Sequence, residues 1–320
     1  MDEVACARAL LQVALEVPDP RRVGKDPGHA LSTVGDAAWA AALDLAEEAG
    51  VLALLAHGLV RAGLLEGAPA SARARFSAAL VRQRAHDAAR FGAFRALRVA
   101  GLDPLLLGDA ALAARLHPQH PSSRQGGLEV LVEPEHVPQA CAVLAERGLR
   151  RGAPGRDAVE CRDAELRVRV RWALPVFEHL DVRGRSERAP AAFPGLGDAR
   201  VLDPVLTVGL FANRLARGGL APLLDLGLAL RHAREGLSYP KIELALAARR
   251  DRCALLRAVE FGRCELGLAP PVGLRDVAAG LPRFTLEEVL RSRRGSPLAR
   301  LQGALRGDRR RARAALRLTP

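Results

Sequence analysis

Glu129 is the residue with the clearest chemical potential in this chain. It is the lone carboxylate of the apolar run Leu128-Glu129-Val130-Leu131-Val132, which follows Gly126-Gly127 and predicts a buried strand. Further on, Leu166, Val168, Val170 and Trp172 alternate with Arg167, Arg169 and Arg171. That pattern predicts a half-buried strand whose outer face carries guanidiniums, groups that grip carboxylate and phosphate through a planar fork. Arg171 and Arg124, the latter in the loop Ser122-Ser123-Arg124-Gln125, are candidate phosphate or anion contacts, with plain solvent exposure as the alternative for Arg124.

Other chemistry finds less support. His117 and His120 stand three apart, but Pro118 and Pro121 make that segment a turn, so a surface loop is expected and no metal ligand set is assigned. Neither a Gly-x-Ser-x-Gly elbow nor a GxxxxGK[ST] phosphate loop occurs. The five cysteines, 6, 141, 161, 253 and 264, are scattered without zinc spacing and read as buried thiols of a reducing compartment. The start Met1-Asp2-Glu3 is acidic where a secretory signal is basic, and no run of about 18 apolar residues suggests a membrane span. A cytoplasmic protein is expected.

The elements that must position these residues fall into a helical, an α/β and a second helical stretch. Helices are predicted from Val4 to Leu15, from a capping Asp36 through Glu48, over Leu52 to Val60, and from about Ser71 to Ala100. After Gly101 come a short strand Leu105-Leu106-Leu107, a helix from Asp109 to Leu116, the strand at 128–132 and a helix from Pro138 to Arg147. A hairpin then joins Ala158–Cys161 to Glu165–Trp172. Beyond Pro204 helices return over 205–216, 220–232, 241–248 and 253–266. We therefore divide the chain into an N-terminal helical region (1–100), an α/β core (101–200), a C-terminal helical domain (201–290) and a tail (291–320). Aliphatic residues supply the core: hydrophobic types make up 49% of the chain and aromatics only 3%. The net charge of +12 sits mostly in the tail, which has ten arginines against one acid, Asp308. Leu298, Leu301 and Leu305 at helical spacing make it a basic amphipathic segment fit for an acidic partner, nucleic acid or an anionic membrane surface.

Taken together, Leu106-Leu107-Gly108, the loop with Arg124, Gly127 to Val132, Arg169-Val170-Arg171-Trp172 and a helix bearing Asp225 resemble bacterial uncharacterised nucleotidyltransferases of the polymerase-beta-like superfamily. The resemblance implies an α/β (α+β) fold: a small mixed sheet embedded between N-terminal and C-terminal helical regions. It also implies a site in which three strand carboxylates hold two Mg²⁺ ions that clamp a nucleoside triphosphate. The corresponding positions here are Gly127, Glu129 and Arg169, so one carboxylate remains and it is the sole catalytic candidate. Leu107 replaces a lysine before Gly108, and Asp109 follows that glycine, placing an anion where phosphate should approach unless its side chain points away. The expectation is a catalytically degenerate member, without a metal cofactor, acting as a binding or scaffolding component for a protein partner, with nucleotide binding still open. Glu129 and Arg169 are expected to pair directly, or Arg169 to belong to a solvated arginine face. The alternative is an active, Mg-dependent enzyme moving a nucleoside monophosphate to a small molecule or protein, its site rebuilt with Asp163 or Glu165. Asp225 is expected to join the helical and α/β parts, or to form an ordinary helix-face salt bridge.

Overall fold

A computed structural model describes residues 2–15, 26–116, 127–190, 198–216, 220–233, 237–278 and 286. Four of the first helices follow the apolar spacing: α1 (Asp2–Ala14), α3 (Asp36–Glu48), α4 (Leu52–Arg61) and α5 (Ala70–Val99), with a short α2 (Pro27–Ser32) between the first two. Asp36 opens α3 from inside it, because Gly35 occupies the capping position. Trp39 of α3 meets Phe76 of α5 edge to face, with ring centroids 6.3 Å apart.

The α/β unit begins with β1 (Leu105–Leu106), α6 (Gly108–Leu116), β2 (Leu128–Leu131) and α7 (Val137–Glu146). It continues through β3 (Arg150–Pro154), β4 (Ala158–Arg162), β5 (Arg167–Arg171), β6 (Ser186–Pro190) and β7 (Asp198–Leu202). The seven strands form one sheet in the order β3-β4-β5-β2-β1-β7-β6, with β2–β5 and β1–β7 parallel and the other pairs antiparallel. The fold is thus mixed α and β, with the sheet between helical regions. The hairpin β4–β5 matches its sequence pattern, whereas β3, β6 and β7 do not announce themselves. Arg150–Pro154 is exposed along its whole length, so no alternation of buried and exposed residues marks it.

The C-terminal helices are α8 (Pro204–Leu215), α9 (Leu220–His232), α10 (Tyr239–Ala245), α11 (Arg249–Phe261) and α12 (Val272–Ala278). Asp203 caps α8 by accepting from the Leu206 N–H at 2.7 Å. The sheet separates two apolar clusters. Leu106, Val130, Val168 and Val170 face Phe91, Phe94 and Leu97 of α5 and Leu144 of α7. Leu105, Leu107 and Leu131 face the opposite way, into the larger cluster shared with α8 and the helical regions. Leu107 is therefore a core residue. Asp225 is fully buried on α9, not on a solvated helix face. Among the described residues no helix is long and apolar enough to cross a membrane. The loop with Arg124, His117 and His120 lies outside the described residues, as does the basic tail.

One buried charge cluster fastens α5 to the sheet. Arg90 is fully buried and donates to Asp87 at 3.2 Å, to Asp109 at 3.1 Å and to the Gly127 carbonyl at 3.4 Å. Gln83 adds a hydrogen bond to Asp87 at 3.0 Å. Asp109 thus turns away from the sheet's open face and is neutralised from α5, which is the alternative in which it does not oppose a phosphate. Removing the guanidinium takes the shared cation from two buried carboxylates, Asp87 and Asp109. Arg90→Ala is expected to destabilise the fold by about 3–5 kcal/mol, read as a lowered denaturant midpoint, while Arg95→Ala at an exposed position of the same helix changes little.

Candidate functional site

The site is built where β2, β5 and α8 converge. Strand periodicity turns Leu128 and Val130 into the α5–α7 core, which leaves Glu129 pointing the other way. The parallel register sets Glu129 beside Arg169 and Leu131 beside Arg171. The antiparallel register of β4 adds Glu160 beside Arg169 and Ala158 beside Arg171. Across this face runs an open cleft of about 880 Å³, lined by Glu129, Asp157, Glu160, Arg169, Arg171 and Arg214 among others.

Glu129 is held from two sides. Arg171 donates through Nε to Oε1 and also engages Asp157 through Nη1. Arg214, from α8, donates through Nη2 to Oε2. Only 14% of the Glu129 side chain is exposed. Burial by itself would raise its pKa, but the charges of Arg214 and Arg171, with the Arg171 hydrogen bond, outweigh burial and hold the carboxyl below its ordinary range. The Arg214 guanidinium also lies 5.5 Å from the ring centroid of Phe211, one turn earlier on α8.

The expected pairing of Glu129 with Arg169 does not form. Arg169 turns to Glu160, at 3.5 Å, which Arg167 approaches at 4.0 Å. The reason is reach: Arg171 and Arg214 already occupy both oxygens of Glu129, while Glu160 stands directly across the β4–β5 ladder. Gly108 adopts a left-handed backbone, φ 67°, at the start of α6, and a Cβ there would come within 2.7 Å of the Arg214 guanidinium. Arg214 therefore packs directly on the turn where backbone amides would have to receive an anion.

Gly127 is fixed by a different neighbour. A Cβ at this position would fall 2.0 Å from the carbonyl oxygen of Arg167, so any side chain there requires β2 and β5 to separate. Asp163 and Glu165 stand at the β4–β5 turn, away from the cleft; Asp163 accepts from the Glu165 and Leu166 amides, each at 2.7 Å. Among the described residues no three His, Cys, Asp or Glu side chains are grouped to hold a metal ion. The positions that the resemblance assigns to metal ligands hold a glycine, the guanidinium of Arg169 and a carboxylate engaged by two arginines.

Arg214, Asp157, Glu160, Asn213 and Asp251 escape the sequence reading. Asn213 donates to Asp251 at 2.9 Å across α8 and α11, and Asp251 is nearly fully buried at the cleft wall. Arg214 follows a helical pattern like many other arginines, and its link to Glu129 spans 85 residues.

Residues 35–185 match the model of a family described as uncharacterised nucleotidyltransferase. No curated protein matches the chain. Among solved structures, a crystal structure of ANT(2")-Ia in complex with adenylyl-2"-tobramycin aligns with a TM-score of 0.41 at 15% identity, covering 53% of this chain and 99% of that one. A solution structure of antibiotic-resistance factor ANT(2'')-Ia, described as revealing substrate-regulated conformation dynamics, aligns with a TM-score of 0.40 at 14% identity, covering 54% and 96%.

Replacing Glu129 by its neutral amide should leave Arg214 without a counter-charge. Glu129→Gln is expected to cost about 2–3 kcal/mol, somewhat below a fully buried pair because the partners keep some water contact. The folded carboxyl titrates below its ordinary value of 4.5. Its contribution is therefore complete above that pH and fades as pH falls through the lower folded value. Urea unfolding as a function of pH should show the wild type converging on Glu129→Gln in acid. A gap that persists unchanged in acid contradicts this assignment.

Proposed function

We propose that this chain, a member of the uncharacterised nucleotidyltransferase family through residues 35–185, is a catalytically degenerate one that serves as a binding or scaffolding component. One observation carries the reading: Glu129, the sole carboxylate at the expected metal positions, has one oxygen on Arg171 and the other on Arg214. A metal would have to displace two guanidiniums from a site that burial has already made unfavourable for unpaired charge. Gly127 supports the same reading, since the close approach of the Arg167 carbonyl leaves no room for an acid there. The chain itself supplies the cations that a metal would contribute, so the cleft is a preformed mixed-charge surface. Its partner would be a protein in a reducing, cytoplasmic setting; the five cysteines are all free thiols.

The alternative, an active Mg-dependent transferase moving a nucleoside monophosphate, draws on one specific observation. Asp109 is turned toward Arg90 and so does not repel a phosphate at Gly108. That reading requires Arg214 to leave both Gly108 and Glu129. Calorimetric titration with each nucleoside triphosphate, with and without Mg²⁺, separates the two. The expected result is no binding that depends on the metal, for the wild type and for Arg214→Ala alike. Metal-dependent binding by the wild type, with transfer of label from α-³²P-ATP to any acceptor, overturns the degenerate reading.

A further inference from the structure

The open face of β3, β4 and β5 carries a feature that the Glu129 site does not use. Cross-strand register places Arg150 opposite Arg162, and Arg162 opposite Arg167. Three arginines thus form one continuous rung across three adjacent strands. Neighbouring strands lie about 4.8 Å apart, so the rung spans about 10 Å. It sits one step along the strands from the rung of Glu160, Arg169 and Glu129, and therefore at the lip of the cleft.

All three side chains are exposed. Among the described residues no carboxylate lies within ion-pair distance of Arg150 or Arg162, and Arg167 reaches Glu160 only at 4.0 Å. Asp163, the nearest acid in sequence, is spent on the amides of its own turn. Like charges directly opposite on a sheet destabilise it, so fold stability gives no reason for this rung. A charged edge strand does discourage strand addition, which accounts for Arg150 but not for Arg162 and Arg167 on interior strands.

We propose that this arginine rung is a docking site for the phosphate backbone of single-stranded nucleic acid, read without regard to base sequence. Three features favour that chemistry. Planar guanidiniums in a row suit regularly repeated phosphates. The large exposed apolar residues, Val60, Val81, Val99 and Leu244, all lie off these strands, so the face lacks the apolar anchors of a protein interface or an inserting membrane surface. No Phe, Tyr or Trp stands within β3, β4 or β5, so contact by charge without base stacking is what this surface can deliver. The inference is independent of whether the cleft is catalytic.

The test uses the full-length chain and fluorescence anisotropy with a labelled oligothymidylate over a series of salt concentrations. Wild type should bind, and R150Q/R162Q/R167Q should bind about tenfold more weakly at moderate salt. The slope of log affinity against log salt should fall by about 2, from about 0.7 for each of three single-strand phosphates. The control R82Q/R84Q/R95Q removes equal charge from exposed positions of α5 and should bind nearly as the wild type does. Equal loss in both variants assigns binding to overall charge, and no loss in the rung variant assigns it elsewhere, such as the arginine-rich tail; either overturns the proposal. Tighter binding of poly-glutamate than of the oligonucleotide would assign an acidic protein instead. Thermal unfolding provides a second readout: relief of like-charge repulsion should leave the Tm of the rung variant equal or higher, and a marked fall would make the rung structural.

Discussion

A carboxylate on a central strand that is withdrawn from water must be neutralised, and the neutralisation of Glu129 organises this molecule's open face. Arg171 reaches it along the sheet and Arg214 reaches it from α8. The same carboxylate therefore ties β2, β5 and the first C-terminal helix together. Its depressed pKa has this origin: the charges around it outweigh the cost of burial. Whatever the cleft binds must compete with, or build upon, this internal ion cluster.

Arg90 plays the matching part on the far side of the sheet. It gathers Asp87 and Asp109 and touches the carbonyl of Gly127, so α5, α6 and the start of β2 meet on one guanidinium. Asp109 is consequently a structural acid although it directly follows the glycine turn. The two clusters together account for both anions near that turn, with a cation assigned to each. Buried ion pairs of this type are weak sources of net stability, yet removing one member is costly. That asymmetry makes them firm constraints on which residues the site can accept.

The outer rung of arginines follows another logic. Glu160 satisfies Arg169 and partly Arg167, and the positive charge that remains accumulates at Arg150 and Arg162. The sheet thus grades from a compensated interior at Glu129 to an uncompensated cationic lip. This gradient arises from register, since a shift of one residue in β4 would send Arg162 to the buried face.

The amino-acid sequence by itself determined the elements with a clear period. The amphipathic helices, the apolar strands around Leu106 and Val130, and the alternation of Val168 and Val170 with arginines all follow from side-chain spacing. It also determined that position 127 carries no ligand and that Glu129 is the lone acid of its strand. The edge strands β3 and β6 were not legible, because largely exposed residues leave little core side to impose alternation; β7 is an interior strand with Ala199 and Val201 buried, but its five residues are too few and too mixed to stand out. Only the tertiary structure decided which cations meet Glu129. Local register favours Arg169, but ion pairing is settled by reach and competition in three dimensions. Arg214 arrives from 85 residues away, Glu160 draws Arg169 across the ladder, and the Arg167 carbonyl closes the space beside Gly127. Such contacts depend on how the chain returns to itself, and no local pattern encodes that path.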